Sequence, residues 1–162
     1  MTGNPERVRI ADGRDEDELM NLCSLLHGEN GVFEISEPKV RSMLRSALEG
    51  PVEQRRGIVG AIGDAGSIQG SIFLEIGQLW YSEDFMLSEL WNYVLPQYRA
   101  SSNSKDLIAF AKSISDRFRL PLMIGVLSNE RTEAKIRHYR QQLGPPSGAF
   151  FVHGATTGRG VN

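Results

Sequence analysis

The sequence has almost no cysteine and no long apolar run. Cys23 is the only cysteine among 162 residues, so the chain can form neither an internal disulfide nor a thiolate metal cluster. This composition favours a reducing, cytoplasmic setting. No segment approaches the roughly 20 consecutive apolar residues that a membrane-spanning helix needs, so the protein is expected to be soluble, without a membrane partner.

An excess of positive charge is also missing. The chain carries 18 Lys and Arg residues against 20 Asp and Glu residues, which gives a net charge of −2. Proteins that bind duplex nucleic acid are usually basic, because they neutralise several phosphates, so the charge argues against nucleic acid as a partner. His27, His138 and His153 are scattered along the sequence, and this spacing predicts no metal site.

The length and layout of the chain fit one domain. The body, predicted to span residues 1–154, contains no internal repeat and no low-complexity block. The last segment, 155–162, consists of small, polar and glycine residues. Such a segment cannot bury apolar surface, so it is predicted to be a flexible tail.

The first third of the chain predicts one short strand and two helices. Val8–Ile10 has the composition of a strand. Apolar residues recur at helical spacing in 19–26 and again in 40–47, which predicts two amphipathic helices. The polar segment 27–36 between them is predicted to be a loop.

Extended segments dominate the middle of the chain. Two isoleucine-rich runs, 57–63 and 69–77, flank the turn residues DAGS and predict an antiparallel hairpin. The run FMLSELWNYV, 85–94, predicts a long strand. Strict alternation along that strand places the following side chains on one face, opposite Asn92: Phe85, Leu87, Glu89, Trp91 and Tyr93.

The last third predicts a helix, a strand, a helix and a strand. Apolar residues from Leu107 to Phe118 fall at helical spacing, and the apolar run 121–129 suits a buried strand. A strand–helix–strand unit of this length predicts a crossover between parallel strands. A helix over 131–144 and a strand over 148–154 complete the order β-α-α-β-β-β-α-β-α-β, which belongs to the mixed α/β class.

The loop between the long strand and the following helix has no glycine. Its sequence, RASSNS (99–104), leads into the start of a helix, where backbone N–H groups can bind phosphate. Serine is small, and its hydroxyl can donate to a phosphate oxygen. The same serines can instead cap the helix, so from these residues alone both interpretations remain open.

The element order and several residues resemble the GNAT superfamily of acyl-CoA-dependent N-acyltransferases, over nearly the whole chain from Val8 to His153. Val94, Pro96 and Arg99 match the family motif Val-x-Pro-x-x-Arg. The family loop that follows usually has the form Arg/Gln-x-x-Gly-x-Gly/Ala, whereas here serines stand at both glycine positions. The resemblance implies a GNAT-like fold, with a mixed, mostly antiparallel central sheet, one parallel crossover, and flanking helices.

The resemblance also implies acetyl-CoA as the co-substrate. In the family the pyrophosphate of coenzyme A is held by backbone amides and a helix dipole, neither of which requires a particular side chain. The serines are therefore compatible with this role. The implied cofactor-binding residues are Tyr93, Val94, Arg99, Ala100, Ser101, Ser102, Asn103, Ser104 and Asn129.

Two residues match the catalytic groups of the family. Tyr139 follows Asn129 at the family spacing, and the implied role is to protonate the departing thiolate, because a phenol with a pKa near 10 stays protonated at neutral pH. Glu89 stands in the register of a glutamate that deprotonates the amine. A carboxylate in an apolar strand is costly to bury unless it is paired or lies in a wet cleft. A packing tyrosine, and a glutamate paired with Arg99 or Arg137, remain the alternatives.

In the family, the acceptor binds near the loop between the first two helices and near the approach to the central strand. These segments are 27–36 and 78–85 here, and the candidate residues are His27, Glu29, Asn30, Trp80 and Tyr81. Carboxylates and aromatic rings together suit a cationic amine, either a small molecule or an amine of a protein. The aromatic residues could equally cover the core, and His27 could cap its helix.

The sequence thus predicts an N-acetyltransferase in which the acceptor amine attacks acetyl-CoA directly, with Glu89 as the base and Tyr139 as the acid. The glycine-free loop leaves open a GNAT-shaped binding or regulatory module without turnover. Transfer to a nucleic-acid base or another macromolecule is the third reading, and it would use a local basic face: Lys39, Arg41, Arg45, Arg55 and Arg56. The oligomeric state stays open, with a homodimer as one option.

Overall fold

A five-stranded sheet forms the centre of the structure. The computed structural model describes residues 2–128 and 130–154. The strands lie side by side in chain order: β1 (Arg9–Ile10), β2 (Gly57–Ile62), β3 (Gly70–Gln78), β4 (Phe85–Val94) and β5 (Leu122–Met123). All neighbouring strands are antiparallel except β4 and β5, which are parallel. The predicted mixed sheet with one parallel crossover is therefore confirmed.

Helices cover both faces of this sheet. The described residues form four α-helices: α1 (Glu16–Asn30), α2 (Glu37–Leu48), α3 (Asn103–Phe118) and α4 (Thr132–Leu143). One hydrophobic cluster joins α1 and α2 to one face of the sheet, and a second joins α3 to the other face. None of the described helices has the length and apolar character that crossing a bilayer requires.

The helix α1 is longer than the sequence pattern indicated. It continues through Asn30, so the first four residues of the segment predicted as a loop, 27–30, form its last turn. Only 31–36 connects α1 to α2. As a result, three candidate acceptor residues are held on a helix, which fixes their side chains more firmly than a loop would.

The last part of the sheet also differs from the prediction. Within the apolar run 121–129, only Leu122–Met123 pairs with β4. The prediction of a strand over 148–154 is wrong, because the structure has no strand there. A strand is stabilised by a continuous row of partners, and a two-residue edge strand offers too short a row. Phe151 in this segment is 95 % exposed.

A β-bulge interrupts the alternation in the middle of β4. Phe73 of β3 pairs with Trp91 of β4. The next β3 residue, Leu74, pairs with Glu89, so Leu90 has no counterpart on β3. One extra residue on one strand inverts the alternation of side chains beyond it.

The bulge makes the predicted face assignment of β4 wrong. Leu87 packs in the cluster with α3, whereas Trp91 and Tyr93 pack in the cluster with α1 and α2. Residues before and after the bulge therefore exchange faces, and Asn92 comes to the same side as Glu89. Strict alternation had placed these two residues on opposite faces.

Candidate active site

A cavity opens where β4 and β5 part. The two strands pair only at Leu87–Leu122 and Ser88–Met123. Beyond these pairs a cavity of about 860 Å³ lies between the strands, a size typical of small-molecule sites. The end of α1, the second half of β4, residues 125–128 and one side of α4 form its walls. The chain thus provides an open cavity at the carboxyl end of its central strand.

Glu89 lies at the point where the strands separate. It is half-buried, lines the cavity, and accepts a hydrogen bond from the backbone N–H of Gly125. Burial raises the pKa of Glu89 to about 7, against the opposing effect of the Gly125 bond. No ion pair in the described part of the chain includes Glu89, so the alternative pairing with Arg99 or Arg137 is not formed there. This carboxyl group changes its protonation near neutral pH.

Tyr139 of α4 lies beside Glu89 in the same cavity. The side-chain amide of Asn92 donates a hydrogen bond of 3.3 Å to the phenol oxygen. Burial, and then the charge of Glu89, raises the pKa of Tyr139 above its ordinary value. The phenol is therefore protonated at neutral pH, and its own proton remains available because Asn92 is the donor in their hydrogen bond.

Glu29 connects the end of α1 to β4 and to the loop after it. Its carboxylate accepts 2.7 Å hydrogen bonds from the Tyr93 hydroxyl and from the Arg99 guanidinium. Burial opposes ionisation, but these two bonds outweigh it and hold the pKa of Glu29 below its ordinary value. Burial, with the adjacent carboxylate, raises the pKa of Tyr93 to about 12. The structure thus brings these three predicted residues together, with their polar groups bonded to one another.

The loop after β4 needs no glycine. Among the described residues, only Arg119 and Arg131 combine a side chain with a positive φ, and neither is in this loop. Ser102 has φ −78° and ψ −2°, in the ordinary helical region. Glycine is required where φ must be positive, so serine fits this backbone without strain.

Two backbone N–H groups at the start of α3 have no hydrogen-bond partner within 2–128 and 130–154, those of Ser104 and Lys105. The N–H of Asn103 is bonded to the Ser101 hydroxyl at 3.2 Å. That hydroxyl in turn donates to the Tyr98 carbonyl at 2.5 Å. Unpaired N–H groups at a helix N-terminus attract anions, so this helix start can hold a phosphate oxygen.

A buried polar cluster fixes the start of α3. Asp106 is 1 % exposed; it pairs with Arg7 and accepts a 2.8 Å hydrogen bond from the Ser102 hydroxyl. Asn103 is equally buried, and its amide group donates to Gln69 at 3.1 Å and accepts from Arg7 at 3.2 Å. The side chains of Ser102 and Asn103, predicted to contact the cofactor, are therefore engaged with the protein. Their contribution is to hold the helix N-terminus in place.

His138, which sequence reasoning missed, connects α4 to the start of α3. Its Nε2 atom lies 2.6 Å from the Ser104 hydroxyl. Burial, and then the charge of Lys105, lowers the pKa of His138, so the ring is neutral at pH 7. His138 thus contacts the N-terminus of α3, and the next residue, Tyr139, lies beside Glu89. The helix α4 therefore connects these two parts of the site.

Lys135 was also missed, and it closes the cavity on the side of α1. Its ammonium donates to the Asn30 side-chain oxygen at 2.5 Å and to the Ser128 hydroxyl at 2.8 Å. Lys135 precedes Tyr139 by four residues, so both lie on one face of α4. That spacing was the available sequence signal, since a helix turns an i, i+4 pair toward the same site.

The remaining predicted residues divide between the cavity and the surface. His27, Glu29 and Asn30 line the cavity. Trp80 and Tyr81 do not; they are 95 % and 68 % exposed in the turn before β4, where their rings contact each other. Val94 and Ser104 line the cavity, whereas Ala100, Ser101 and Ser102 are exposed beside it. Asn129 and the predicted tail, 155–162, lie outside the described residues.

Carboxylates neutralise two of the five residues of the predicted basic face. Arg41 pairs with three carboxylates and Arg45 with one. Arg55 donates to the backbone carbonyls of Gly50, Ala11 and Ala47. In the described chain, no group of three or more His, Cys, Asp or Glu residues could hold a metal ion.

The architecture matches solved acetyltransferase structures at low sequence identity. A possible acetyltransferase from Clostridium difficile 630 superposes with a TM-score of 0.67 and 16 % identity, over 93 % of this chain and 97 % of that chain. A ribosomal-protein-alanine N-acetyltransferase from Brucella melitensis biovar Abortus 2308 gives a TM-score of 0.65 and 13 % identity, over 90 % and 96 %.

A third similar structure contains a ligand. AAC(6′)-Iy, in complex with the bisubstrate analogue CoA-S-monomethyl-acetylneamine, gives a TM-score of 0.65 and 12 % identity, over 90 % of this chain and 95 % of that chain. No protein-family model matches the sequence, and no curated protein matches it significantly. These similarities establish that the chain has the fold of the GNAT acetyltransferases, as predicted.

Proposed function

We propose that this protein is a GNAT-type N-acetyltransferase that transfers an acetyl group from acetyl-CoA to a primary amine. One observation carries the proposal: Glu89 and Tyr139 face one cavity, at the opening between two parallel strands, beside a helix N-terminus with unpaired N–H groups. A base with a pKa near 7 and an acid that stays protonated suit the two proton transfers of acetyl transfer from coenzyme A, and a helix N-terminus suits its phosphates.

Residues of β4 and α3 would hold the co-substrate. The N–H groups of Ser104 and Lys105 fit the pyrophosphate, since they need no side chain and the loop that leads to them is unstrained. Beyond Ser88, no described residue pairs with β4 on the β5 side, so the β4 backbone can bond the amide groups of the pantetheine arm. Acetyl-CoA supplies an acetyl group activated as a thioester.

Each of the two catalytic residues would move one proton. Glu89, when ionised, accepts a proton from the attacking amine nitrogen on one of its carboxylate oxygens. Tyr139 donates its hydroxyl proton to the thiolate sulfur as the carbon–sulfur bond breaks, and the new bond joins the acetyl carbon to the amine nitrogen. Asn92 orients the phenol through the hydrogen bond to its oxygen.

Two measurements test this proposal. The first is calorimetric titration with acetyl-CoA, supported by thermal unfolding; ligand at 100 times its dissociation constant should stabilise the fold by about 2.7 kcal/mol. The second is release of free thiol from acetyl-CoA in the presence of a panel of primary amines. Absence of binding at millimolar acetyl-CoA would overturn the proposal, whereas binding without turnover for any amine would favour a non-catalytic module.

A further inference from the structure

The ammonium group of Lys135 has no carboxylate partner among the residues that the structure describes. It is half-buried in the cavity wall, and its hydrogen-bond partners are two neutral oxygens, those of Asn30 and Ser128. No ion pair within the described residues includes Lys135. An ammonium has three donors, and the described residues accept from two of them, so one donor remains for a ligand.

The acidic groups near Lys135 are not placed to neutralise it. Glu29 is already bonded by Arg99 and Tyr93. Glu130 is exposed and is not in an ion pair with Lys135. Both carboxylates act on Lys135 only through space, and burial, together with the charges of Arg99 and Arg131, lowers its pKa more than they raise it. A partly desolvated cation of this kind is stabilised most by an anion that enters the cavity.

We propose that Lys135 is the anion-binding residue of the acceptor site, and that the acceptor is a small amine carrying a carboxylate, such as a free amino acid. This inference rests on the proposed acetyl transfer. An acceptor with a carboxylate differs from the purely cationic amine expected from the sequence. Glu29 was a candidate to bind such a cation, but its carboxylate is already paired with Arg99.

Lys135 and Tyr139 line the same cavity from one side of α4. Lys135 and Tyr139 are four residues apart on one helical face, which places their Cβ atoms about 5–6 Å from each other. Tyr139 in turn lies close enough to Glu89 for the carboxylate charge to raise its pKa. Both residues line the cavity that holds Glu89, so an amine at Glu89 and an anion at Lys135 can belong to one molecule that lies along this wall.

The anion could instead come from acetyl-CoA, whose phosphates share this chemistry. The two sources make different predictions about the side of the cavity involved. Lys135 contacts Asn30, at the end of α1, whereas His138 contacts Ser104, beside the unpaired N–H groups of α3. The phosphates are thus matched to the α3 end, and the carboxylate of the acceptor to the α1 end.

The test compares matched acceptors on three proteins. The standard amino acids are each offered as the free acid and as the carboxamide, with acetyl-CoA, to the wild type, to Lys135→Met and to the control Lys112→Met. Lys112 is an exposed lysine on α3, outside the cavity. The wild type and the control should prefer the best acid over its amide by about 10- to 100-fold in kcat/KM, the range expected for a hydrogen bond to a charged group. Lys135→Met should lose that preference.

Reversing the charge at position 135 gives an independent test. Lys135→Glu should disfavour the acid further and improve transfer to the carboxamide or to a diamine, relative to Lys135→Met. The inference is overturned if the wild type uses amides or diamines as well as acids, or if Lys135→Met keeps the preference. It is also overturned if Lys135→Met raises the KM of acetyl-CoA and leaves that of the acceptor unchanged, since this assigns the lysine to the phosphates.

A binding measurement separates this inference from the proposed function. N-acetylated amino acids and their carboxamides are titrated calorimetrically into the wild type and Lys135→Met, without acetyl-CoA. Tighter binding of the acids, lost in Lys135→Met, supports the anion site even if no amine is acetylated. Equal binding of acids and amides overturns it even if acetyl transfer is observed.

Discussion

The side-chain amide of Asn92 donates a hydrogen bond of 3.3 Å to the phenol oxygen of Tyr139, which leaves the phenol proton for another acceptor. Asn92→Leu should therefore lower kcat by about tenfold, the effect of one hydrogen bond. Tyr139→Phe, which removes the proton itself, should lower kcat by about 10²- to 10⁴-fold. Steady-state kinetics check both, with the exposed Asn21→Leu as the matched control. A kcat of Asn92→Leu equal to that of the control would contradict the orienting role.

Glu89→Gln should remove the base and keep the shape of the cavity. The expected loss in kcat is about 10²- to 10⁴-fold, with little change in the affinity for acetyl-CoA measured by calorimetry. Glu75→Gln is the control, because Glu75 lies on β3 outside this cavity. If Glu89→Gln turned over at the rate of the control, another group would have to accept the proton.

The rate should depend on pH through Glu89. Its pKa of about 7 means that the carboxylate form increases as pH rises toward 7, so kcat/KM should rise about tenfold per pH unit below 7 and level off above it. Because the pKa of Tyr139 is raised, its phenol should stay protonated just above pH 7, and the rate should not fall there. Comparing wild type with Glu89→Gln at each pH isolates this ionisation from that of the acceptor amine. Parallel profiles for the two proteins would rule out Glu89 as the titrating base.

Ionisation of Glu89 should lower the stability of the fold as pH rises, whereas it raises the activity. Folding raises the pKa of Glu89 from 4.5 to about 7, so the folded state binds this proton more tightly than the unfolded state. The stability that this provides is present below 4.5 and is lost as pH rises through 7. Glu89→Gln should therefore be more stable than wild type at pH 8, by up to about 3 kcal/mol, and not at pH 4. The free energies of unfolding in urea, measured for both proteins at pH 4 and pH 8, test this prediction. If the two proteins differed equally at both pH values, folding would not raise the pKa of Glu89.

Trp80 and Tyr81 should be dispensable for acceptor binding. Both are strongly exposed in the turn before β4 and do not line the cavity. Trp80→Ala and Tyr81→Ala are expected to leave the acceptor KM unchanged, whereas Asn30→Ala, which removes a partner of Lys135, should raise it. A large increase in KM for Trp80→Ala would show that the turn reaches the acceptor in the complex.

Local patterns predicted most elements but not the details of the sheet. The hairpin and the long strand were predicted within one residue of β2, β3 and β4, because isoleucine-rich runs and turn residues carry a strong local signal. The bulge at Leu90 left no such signal, since an extra residue is defined only by the register of the partner strand. The face assignment of β4, and with it the position of Asn92, could therefore not be predicted.

The candidate site was predicted unevenly for a similar reason. Glu89 and Tyr139 were identified by resemblance, and the structure places them in one cavity. Lys135 and His138 were missed because their significance depends on contacts with α1 and α3, which are distant in sequence. Trp80 and Tyr81 looked suitable by composition, but their location in a protruding turn is set by the length of β3 and β4.

The sequence by itself determined the chemistry that the chain carries: a carboxylate in an apolar strand, a helix with Tyr139, and a serine loop leading into α3. Periodicity and turn chemistry act between near neighbours, so they are readable without a structure. Only the tertiary structure decided which groups meet. The bulge turned Asn92 toward Tyr139, the parting of β4 from β5 opened the cavity, and the packing of α4 placed the Lys135 ammonium against the neutral oxygens of Asn30 and Ser128. Each of these depends on residues far apart along the chain, brought together by the packing of the sheet.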